Sequence, residues 1–241
     1  MKLCYVLPQY FKNSAENFYH ISNFLSELGK NVDLYVVIEN SDIPPKIDNV
    51  KEIFTLNTRA VSMSIYRRMF RLVQIYFELN NQGVSVFFSR SSMTGVFPLV
   101  LANRLLNFNR LDIIFWSCGQ DVVPISFLPN KKNIKRIISK IVSFLVYRGI
   151  NFLATGPELM VDYYNHFHKI PKNKILTLYN DISLSRFYPI SANEKKINKQ
   201  KIIGTNKKVM LFVHTFNKSR GADLLPLIAK RINDNNLNII I

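Results

Sequence analysis

The sequence is poor in cysteine, with 2 cysteines in 241 residues. Cys4 and Cys118 lie far apart, each in an apolar run, and neither has a histidine at the spacing of a metal site. Small secreted domains held together by disulfides are rich in cysteine, so this scarcity excludes a disulfide scaffold. We expect a reduced, intracellular protein.

Long apolar runs are also missing. Lys140 and Arg148 interrupt the most apolar stretch, around residues 137–153, so no run reaches the roughly 18 residues that a membrane span needs. The apolar run at residues 3–8 is too short for a secretory signal. We therefore expect a cytoplasmic protein, either soluble or peripheral on the inner face of the cell membrane.

Acidic residues are half as frequent as basic ones, 16 against 32, and the formal net charge is +16. This charge favours an anionic partner such as a lipid surface, nucleic acid or a phosphate-bearing substrate. The abundant Lys, Asn, Ile, Phe and Tyr are also typical of an AT-rich genome, which raises lysine content without such a partner. No nucleic-acid-binding motif accompanies the charge, so we expect no nucleic-acid partner.

Glycine is scarce, with 8 residues, and it is absent from the loop at residues 8–14 that follows the first apolar run. A dinucleotide-binding fingerprint needs paired glycines in that place, so the sequence excludes it. Asn13 in this loop is a candidate substrate contact in the cleft. Asn13 and Glu16 also have the spacing of a helix capping box, and both interpretations stay open.

What the chain does contain is an alternation of apolar runs and amphipathic segments. This alternation predicts an α/β fold, a doubly wound, Rossmann-like parallel sheet with helices on both faces. The predicted strands are residues 3–7, 32–38, 50–56, 84–88, 111–116, 150–154 and 175–178.

The composition changes after residue 190. Residues 191–207, rich in Lys and Asn, predict a solvated basic linker. Residues 208–241 have the pattern of an apolar strand, a basic loop, an amphipathic helix and a second apolar strand, which is a β-α-β unit. We predict a Rossmann-like domain at residues 1–190, a linker at 191–207 and the incomplete start of a second Rossmann-like domain at 208–241.

Doubly wound sheets bind ligands beyond the carboxyl ends of their strands, so the loops there are candidate sites. One loop follows the most apolar predicted strand and combines a glycine with polar side chains, a composition that carries function more often than packing. We predict that it contacts a substrate. Its residues are Ser117, Cys118, Gly119, Gln120 and Asp121.

Two segments resemble retaining GT-B glycosyltransferases of the glycogen-synthase-like superfamily, also called glycosyl transferases group 1 or family 4. Asn180 matches the first residue of the family's Asn-Gly-Val-Asp motif, and residues 186–189 match its Arg-Phe-x-Pro sequence. Phe212-Val213 and Arg220-Gly221 are similar to the Phe-Val-Gly-Arg-Leu and Lys-Gly elements that open the family's donor domain. The resemblance implies that the first domain lies on the acceptor side. Since Cys118-Gly119 stands where the family often has His-Gly near the sugar and acceptor, it also implies that the loop at residues 117–121 contacts the acceptor or the transferred sugar.

The resemblance also implies a reaction, the transfer of a sugar from a nucleotide-sugar to a glycan or lipid-linked acceptor in bacterial surface polysaccharide synthesis. It implies no metal and no cofactor, since the nucleotide-sugar is the donor substrate. In the family, Arg and Lys neutralise the donor diphosphate. Here Thr215 stands in place of the Arg and Arg220-Gly221 in place of Lys-Gly, with Lys218 as a second cation, while His214 ends the strand beside the cleft.

Glutamate is absent after Glu194. The family's donor domain carries a Glu-x7-Glu pair that contacts the sugar and the nucleotide, and this pair has no counterpart in the chain. We therefore expect a chain truncated in its donor domain, whose transfer activity alone is doubtful.

Basic residues crowd two predicted helices, at residues 61–79 and 134–147. Such helices can rest on an anionic membrane surface, or they can cover the sheet with a solvated cationic side. Two other functions stay open: a non-catalytic, membrane-associated binding or regulatory protein, and a basic nucleic-acid-binding module. The clustered cations are Arg67, Arg68, Arg71, Lys131, Lys132, Lys135, Arg136 and Lys140.

Overall fold

A computed structural model describes residues 1–11, 21–58, 62–105, 111–117, 131–156, 158–179, 188–204, 208–210, 221–237 and 239–240, with the backbone alone at 131–136 and 240. The chain divides into two compact units, Met1–Ile182 and Ser183–Ile241. Each unit is described by itself below.

The first unit alternates strands and helices. Its strands are β1 (Lys2–Leu7), β2 (Asp33–Asn40), β3 (Val50–Asn57), β4 (Val86–Arg90), β5 (Asp112–Trp116), β6 (Phe152–Thr155) and β7 (Ile175–Thr177). Its helices are α1 (Ile21–Gly29), α2 (Ile65–Asn81), α3 (Met93–Leu105), α4 (Lys131–Gly149) and α5 (Glu158–His168).

The seven strands form one sheet in the order β3-β2-β1-β4-β5-β6-β7. Every neighbouring pair is parallel. The chain runs outward from β1 to β3 and returns to β4 on the other side of β1, which makes the β1/β4 boundary the switch point of the sheet. In parallel sheets of this kind, ligands bind outside the carboxyl ends of the strands at that boundary. The structure confirms the predicted Rossmann-like class.

Helices lie on both faces of the sheet, as predicted, but unequally. One face, with Phe87, Ile113 and Leu153, packs against α2, α3, α4 and α5. The other face, with Tyr5 and Leu34, packs against α1. α3 is mostly apolar, with six buried residues, and packs between α2 and α4.

Gly29 ends α1, as the sequence predicts, but a left-handed conformation is not the reason for the glycine. Positive φ angles occur instead at other residues, including Asn49 at 60°. The backbone of Asn49 lies so close that a Cβ on Gly29 would overlap the carbonyl oxygen of Asn49 and would lie 2.8 Å from its carbonyl carbon. Gly29 therefore permits a close approach between α1 and the turn before β3.

The second unit contains α6 (Ala192–Ile203), α7 (Leu225–Asp234) and the short strands β8 (Lys208–Val209) and β9 (Ile239–Ile240). β8 and β9 pair in parallel, with α7 between them in sequence, so the predicted β-α-β unit is present.

Helix α6 lies within the segment predicted as a linker. It begins with a capping box, in which the Glu194 N–H donates to Ser191 Oγ at 3.2 Å and the Ser191 N–H donates to Glu194 Oε2 at 3.0 Å. α6 has no apolar stripe and buries no residue, which is why periodicity gave no sign of it. The spacing Ser-x-x-Glu was the available signal.

No helix in the described part of the chain is long and apolar enough to cross a membrane.

Candidate functional site

A buried carboxylate lies next to the switch point. Glu39, the second-last residue of β2, is 1% exposed. Two residues at the start of α3 donate to it: Thr94 Oγ1 to Glu39 Oε2 at 2.6 Å, and Ser92 Oγ to Glu39 Oε1. Ser92 Oγ also accepts from the Gly95 N–H at 2.8 Å. Ser92 thus links a free N–H of the first helical turn to the carboxylate.

Arg68 connects this carboxylate to three strands. Its Nε lies 3.8 Å from Glu39 Oε2, and its Nη1 donates to Asn40 Oδ1 at 3.3 Å. Asn57 Nδ2 donates to the same Asn40 oxygen at 2.9 Å, and Asn40 Nδ2 donates to the Pro8 carbonyl at 2.8 Å. The carboxyl ends of β1, β2 and β3 are thereby tied to α2. We call the following set the Glu39 network: Glu39, Asn40, Asn57, Arg68, Ser92 and Thr94.

Burial governs the protonation of Glu39. Removal from water raises the pKa of Glu39, while the hydrogen bonds from Ser92 and Thr94 and the charge of Arg68 lower it by less, so the pKa stands above its ordinary value. Burial also raises the pKa of Tyr76 well above its ordinary value. Its hydroxyl donates to the Gly95 carbonyl at 2.9 Å, a role that requires the protonated form.

The position of Glu39 decides what the N-terminus of α3 can bind. A helix N-terminus attracts anions, and at the switch point of such a sheet it is a ready place for a phosphate. Here the carboxylate of Glu39 already occupies that place. With 1% of its surface exposed, Glu39 positions α3. Among the described residues, the start of α3 thus already has an acidic group hydrogen-bonded to its first side chains.

Ser117, the first residue of the predicted substrate loop, is buried at the end of β5. Tyr164 Oη donates to Ser117 Oγ at 2.6 Å, and Thr155 Oγ1 donates to the Ser117 carbonyl at 2.9 Å. Ser117 therefore anchors the start of the loop to β6 and α5. Its contact with a substrate stays a prediction. The remaining loop residues, Cys118, Gly119, Gln120 and Asp121, lie outside the described residues.

Removing the Tyr164 hydroxyl tests this anchor. We expect Tyr164→Phe to lower the free energy of unfolding by about 1 kcal/mol, because the buried Ser117 hydroxyl loses its partner. Tyr66→Phe is the matched control, since Tyr66 is 81% exposed and should change stability very little. Urea unfolding of the three proteins measures both values, and equal stabilities would contradict a structural role for the Tyr164 hydroxyl.

An apolar groove lies on the α1 side of the sheet, directly before the Ser117 loop. Its volume is about 210 Å³. The rings of Tyr5 and Phe88 stack in it with centroids 4.9 Å apart, and the Arg90 guanidinium carbon lies 4.5 Å from the centroid of Trp116. Pockets with aromatic walls and a few polar groups are typical of small-molecule sites. The groove is lined by Leu3, Tyr5, Phe24, Leu28, Phe88, Arg90, Trp116, Leu178 and Tyr179.

In the second unit, Gly221 precedes a 3-10 turn, Ala222–Leu224, that leads into α7. Its φ is 80°, in the left-handed region where glycine is favoured, so this position explains the glycine of Arg220-Gly221. The other predicted residues lie outside the described part of the chain, and their roles stay predictions. These residues are Asn13, His214, Thr215, Lys218 and Arg220.

Sequence reasoning missed the Glu39 network. The available signal was an acidic residue directly after the apolar run at residues 34–38, at the carboxyl end of a predicted strand. No group of three or more His, Cys, Asp or Glu side chains in the described residues could hold a metal ion.

No protein-family model matches the chain, and no curated protein is similar to it in sequence. Solved structures nevertheless match, and they show an α/β fold that the chain shares with nucleotide-sugar enzymes. The likeness does not single out the retaining transferases.

Three matching structures differ in how much of their length the chain covers. The UDP-GlcNAc 2-epimerase of Methanocaldococcus jannaschii has a TM-score of 0.53 and 15% identity, over 99% of this chain and 64% of that chain. The UDP-GlcNAc 2-epimerase of Neisseria meningitidis, solved with UDP-GlcNAc, has a TM-score of 0.50 and 14% identity, over 87% and 56%. The lipopolysaccharide outer core galactosyltransferase WaaB has a TM-score of 0.48 and 12% identity, over 87% and 51%. The chain thus spans about half to two thirds of their lengths.

Proposed function

We propose that the chain is part of a retaining GT-B glycosyltransferase that transfers a sugar from a nucleotide-sugar to a glycan or lipid-linked acceptor in bacterial surface polysaccharide synthesis. Residues 1–190 form its acceptor-side domain, residues 191–207 the connection, and residues 208–241 the start of its donor domain. The Ser117–Asp121 loop contacts the acceptor or the transferred sugar.

The observation that carries this proposal is the filled N-terminus of α3. Because the Glu39 carboxyl group lies at the start of α3, that helix offers no ready phosphate site. What that unit offers instead is the aromatic groove before Ser117, with Arg90 over Trp116. Apolar ring faces and one cation suit an acceptor better than a diphosphate. This division supports an acceptor role for the first unit.

The donor diphosphate is assigned to the loop before α7. Arg220 binds it through two parallel N–H donors, Lys218 adds a second charge, and Gly221 allows the backbone to turn into α7. Thr215 and His214 line the same cleft, and Thr215 supplies only a hydroxyl. These cations stabilise the charge that develops on the departing nucleotide, with no metal required.

Replacement of Arg220 tests this assignment. The chain spans at most about two thirds of the solved structures described above, and the experiment uses the protein as its gene encodes it. We expect Arg220→Gln to weaken nucleotide diphosphate binding about tenfold to a hundredfold, through loss of a charged hydrogen bond. Isothermal titration calorimetry with UDP and GDP measures this.

Lys230→Gln is the matched control, because Lys230 is exposed on α7 and carries the same charge. Equal losses in the two variants would show a diffuse effect of charge and would contradict the assignment of Arg220. Loss of the transfer reaction, followed with labelled nucleotide-sugars and a glycan or lipid-linked acceptor, should accompany the loss in Arg220→Gln.

A second candidate function is epimerisation of a UDP-sugar, since UDP-GlcNAc 2-epimerases share this fold. Incubation of the complete protein with UDP-GlcNAc alone separates the two candidates. An epimerase converts the donor without an acceptor, whereas the proposed transferase needs the acceptor. Binding without turnover in either assay would favour the non-catalytic binding protein.

The proposal includes peripheral association with the inner face of the cell membrane. A lipid-linked acceptor resides in that membrane, and the basic helices would bring the enzyme to it. An anionic membrane surface is then a partner of the protein beside its two substrates.

A further inference from the structure

A second cavity lies at the amino edge of the sheet in the first unit, opposite the carboxyl edge that carries Ser117. Its volume is about 340 Å³. Helices α4 and α5 end at this cavity, and strands β6 and β7 begin there. We call it the amino-edge pocket and define it by Tyr147, Arg148, Asn151, Lys169, Ile170 and Lys174.

Positive charge dominates the amino-edge pocket. Arg148, Lys169 and Lys174 line it, and no acidic side chain of the described residues does so. Lys172, in the same stretch of chain, is different, since its Nζ lies 2.8 Å from Asp162 Oδ1. Within the described part of the chain, the three lining cations have no carboxylate at salt-bridge distance.

The ends of α4 and α5 account for only part of this charge. Each helix C-terminus carries about half a negative charge, so the two together offset about one of the three lining cations. The end of α4 also receives a cation from another helix, because Arg104 Nη2 donates to the Arg148 carbonyl at 3.2 Å. The pocket therefore keeps a surplus of about two positive charges.

The Arg148 side chain has one aromatic contact. Its guanidinium carbon lies 5.2 Å from the centroid of the Phe144 ring. Such a contact uses the flat face of the guanidinium, whereas the N–H donors point outward in its plane. The contact thus limits the freedom of Arg148 and leaves its donors available at the rim of the pocket.

Lys169 has an unusual backbone conformation for a lysine. It directly follows α5, with a φ of 56° in the left-handed region. Helices usually place a glycine there, because a Cβ is costly in that conformation. The turn is fixed on its other side, since the Ile170 N–H donates to the Tyr164 carbonyl at 3.4 Å and Asn165 Nδ2 donates to the Ile170 carbonyl at 2.8 Å. A costly conformation at the rim of a cavity indicates a function for the side chain.

The floor of the pocket is largely apolar. Tyr147, Ile150 and Ile170 are buried there. Asn151 adds one polar group, since its Oδ1 accepts from the Ile113 N–H at 3.0 Å while its Nδ2 makes no hydrogen bond to a described residue. An apolar floor with a few polar groups at its rim is typical of small-molecule sites, whose volumes begin at about 300 Å³.

We infer that the amino-edge pocket binds a small phosphomonoester that carries an apolar ring, with the phosphate among Arg148, Lys169 and Lys174 and the ring on the apolar floor. A phosphomonoester bears about two negative charges near pH 7, which matches the surplus charge of the pocket. Arginine and lysine bind phosphate oxygens through charge-assisted hydrogen bonds. The inference goes beyond the proposed function and does not depend on it.

The pocket shares its elements with the anchor of the Ser117 loop. Strand β6 runs from the pocket to Thr155, which donates to the Ser117 carbonyl, and α5 supplies Tyr164, which donates to Ser117 Oγ. A bound ligand should therefore slow amide hydrogen exchange in residues 152–168 and leave residues 21–29 of α1 unchanged. Exchange that is unchanged in both segments, or slowed equally in both, would contradict this place for the ligand.

Isothermal titration calorimetry of the full chain with phenyl phosphate tests the inference. We expect saturable binding with a dissociation constant of about 1 mM, the scale for a ligand of about ten heavy atoms. Inorganic phosphate lacks the ring, and phenyl sulfate has the ring but only one negative charge. Each should bind about tenfold more weakly than phenyl phosphate. Phenol, which has no charge, should show no measurable binding.

A pair of lysine variants tests the cations. Lys169→Gln combined with Lys174→Gln should weaken phenyl phosphate binding at least about tenfold, through loss of charged hydrogen bonds. Lys195→Gln combined with Lys196→Gln, on exposed α6, removes the same charge and should have little effect. Arg220→Gln should bind phenyl phosphate as the parent does, which separates this pocket from the proposed donor site.

Lys169→Gly separates binding from folding. Glycine relieves the left-handed backbone and removes the charge, so we expect the melting temperature to rise by about 2–4 °C while phenyl phosphate binding weakens about threefold to tenfold. Loss of binding in a variant that is more stable than the parent cannot result from unfolding. Binding equal to that of the parent would show that Lys169 only stabilises the end of α5.

Three further results would overturn the inference. They are no saturable binding of phenyl phosphate, equally strong binding of inorganic phosphate, and equal losses in the α6 control and in the Lys169/Lys174 double variant. Nucleotide diphosphate binding, which tests the proposed function, should be unchanged in the Lys169 and Lys174 variants. Failure of this pocket and failure of the proposed function are therefore separate results.

Discussion

Glu39→Ala is expected to lower the free energy of unfolding by about 3 kcal/mol, because it leaves buried hydrogen-bond donors and a nearby cation without their common acceptor. Ser92 and Thr94 both donate to this carboxylate, and Arg68 lies 3.8 Å from it with its side chain only 16% exposed. Chemical denaturation, followed by circular dichroism, measures the loss. A change below about 1 kcal/mol would show that the Glu39 network does not hold α3 in place.

Glu39→Gln separates hydrogen bonding from charge. The pKa of Glu39 is raised above its ordinary value of 4.5, so the folded protein holds this proton more tightly than the unfolded chain does. The contribution of the carboxyl group to the free energy of unfolding is therefore complete below pH 4.5 and is lost as the pH rises through the raised pKa. The difference in stability between the parent and Glu39→Gln should decrease over that range and level off above it. A difference that grows with pH would mean that the pKa is lowered instead.

Gly29→Ala is expected to lower the free energy of unfolding by about 3 kcal/mol, at the upper end of the cost of overpacking. A Cβ at this position would overlap the Asn49 carbonyl oxygen, which belongs to the backbone and cannot swing away as a side chain can. Helix propensity predicts the opposite sign, since alanine is favoured over glycine in a helix by about 1 kcal/mol. The sign of the change thus distinguishes close approach from local propensity.

Gly156→Ala is the matched control for Gly29→Ala. No atom lies within 4 Å of the position of an added Cβ on Gly156, and its φ is outside the left-handed region. We expect an effect between zero and a gain of about 1 kcal/mol, through a less flexible unfolded chain. If Gly29→Ala were as stable as Gly156→Ala, the approach of Asn49 to α1 would not constrain the fold.

The sheet could be predicted from the sequence because its strands are short apolar runs, and a central strand such as β1 is buried on both faces. The runs at residues 3–7, 50–56 and 111–116 differ by two residues or fewer at either end from β1, β3 and β5. The order of the strands follows less directly, because the place where β4 joins the sheet depends on packing between distant segments. The parallel class itself follows from the alternation of strands and helices.

The candidate site was harder to predict, since its central residues are joined by folding alone. Glu39 and Ser92 are 53 residues apart in sequence, and neither belongs to a motif with a fixed spacing. Local patterns also missed helix α6, because a helix without an apolar stripe has the composition of a linker.

The Glu39 carboxylate acts as a ligand that the fold carries with it. Tethered beside the start of α3, it is always present at a high effective concentration, so phosphate or sulfate in solution cannot compete for the hydroxyl groups of Ser92 and Thr94. Because Glu39 and Ser92 are buried, salt screens their interaction far less than it screens the surface cations. The protein thus combines a buried electrostatic contact that responds little to ionic strength with a charged outer surface whose interactions respond strongly to ionic strength.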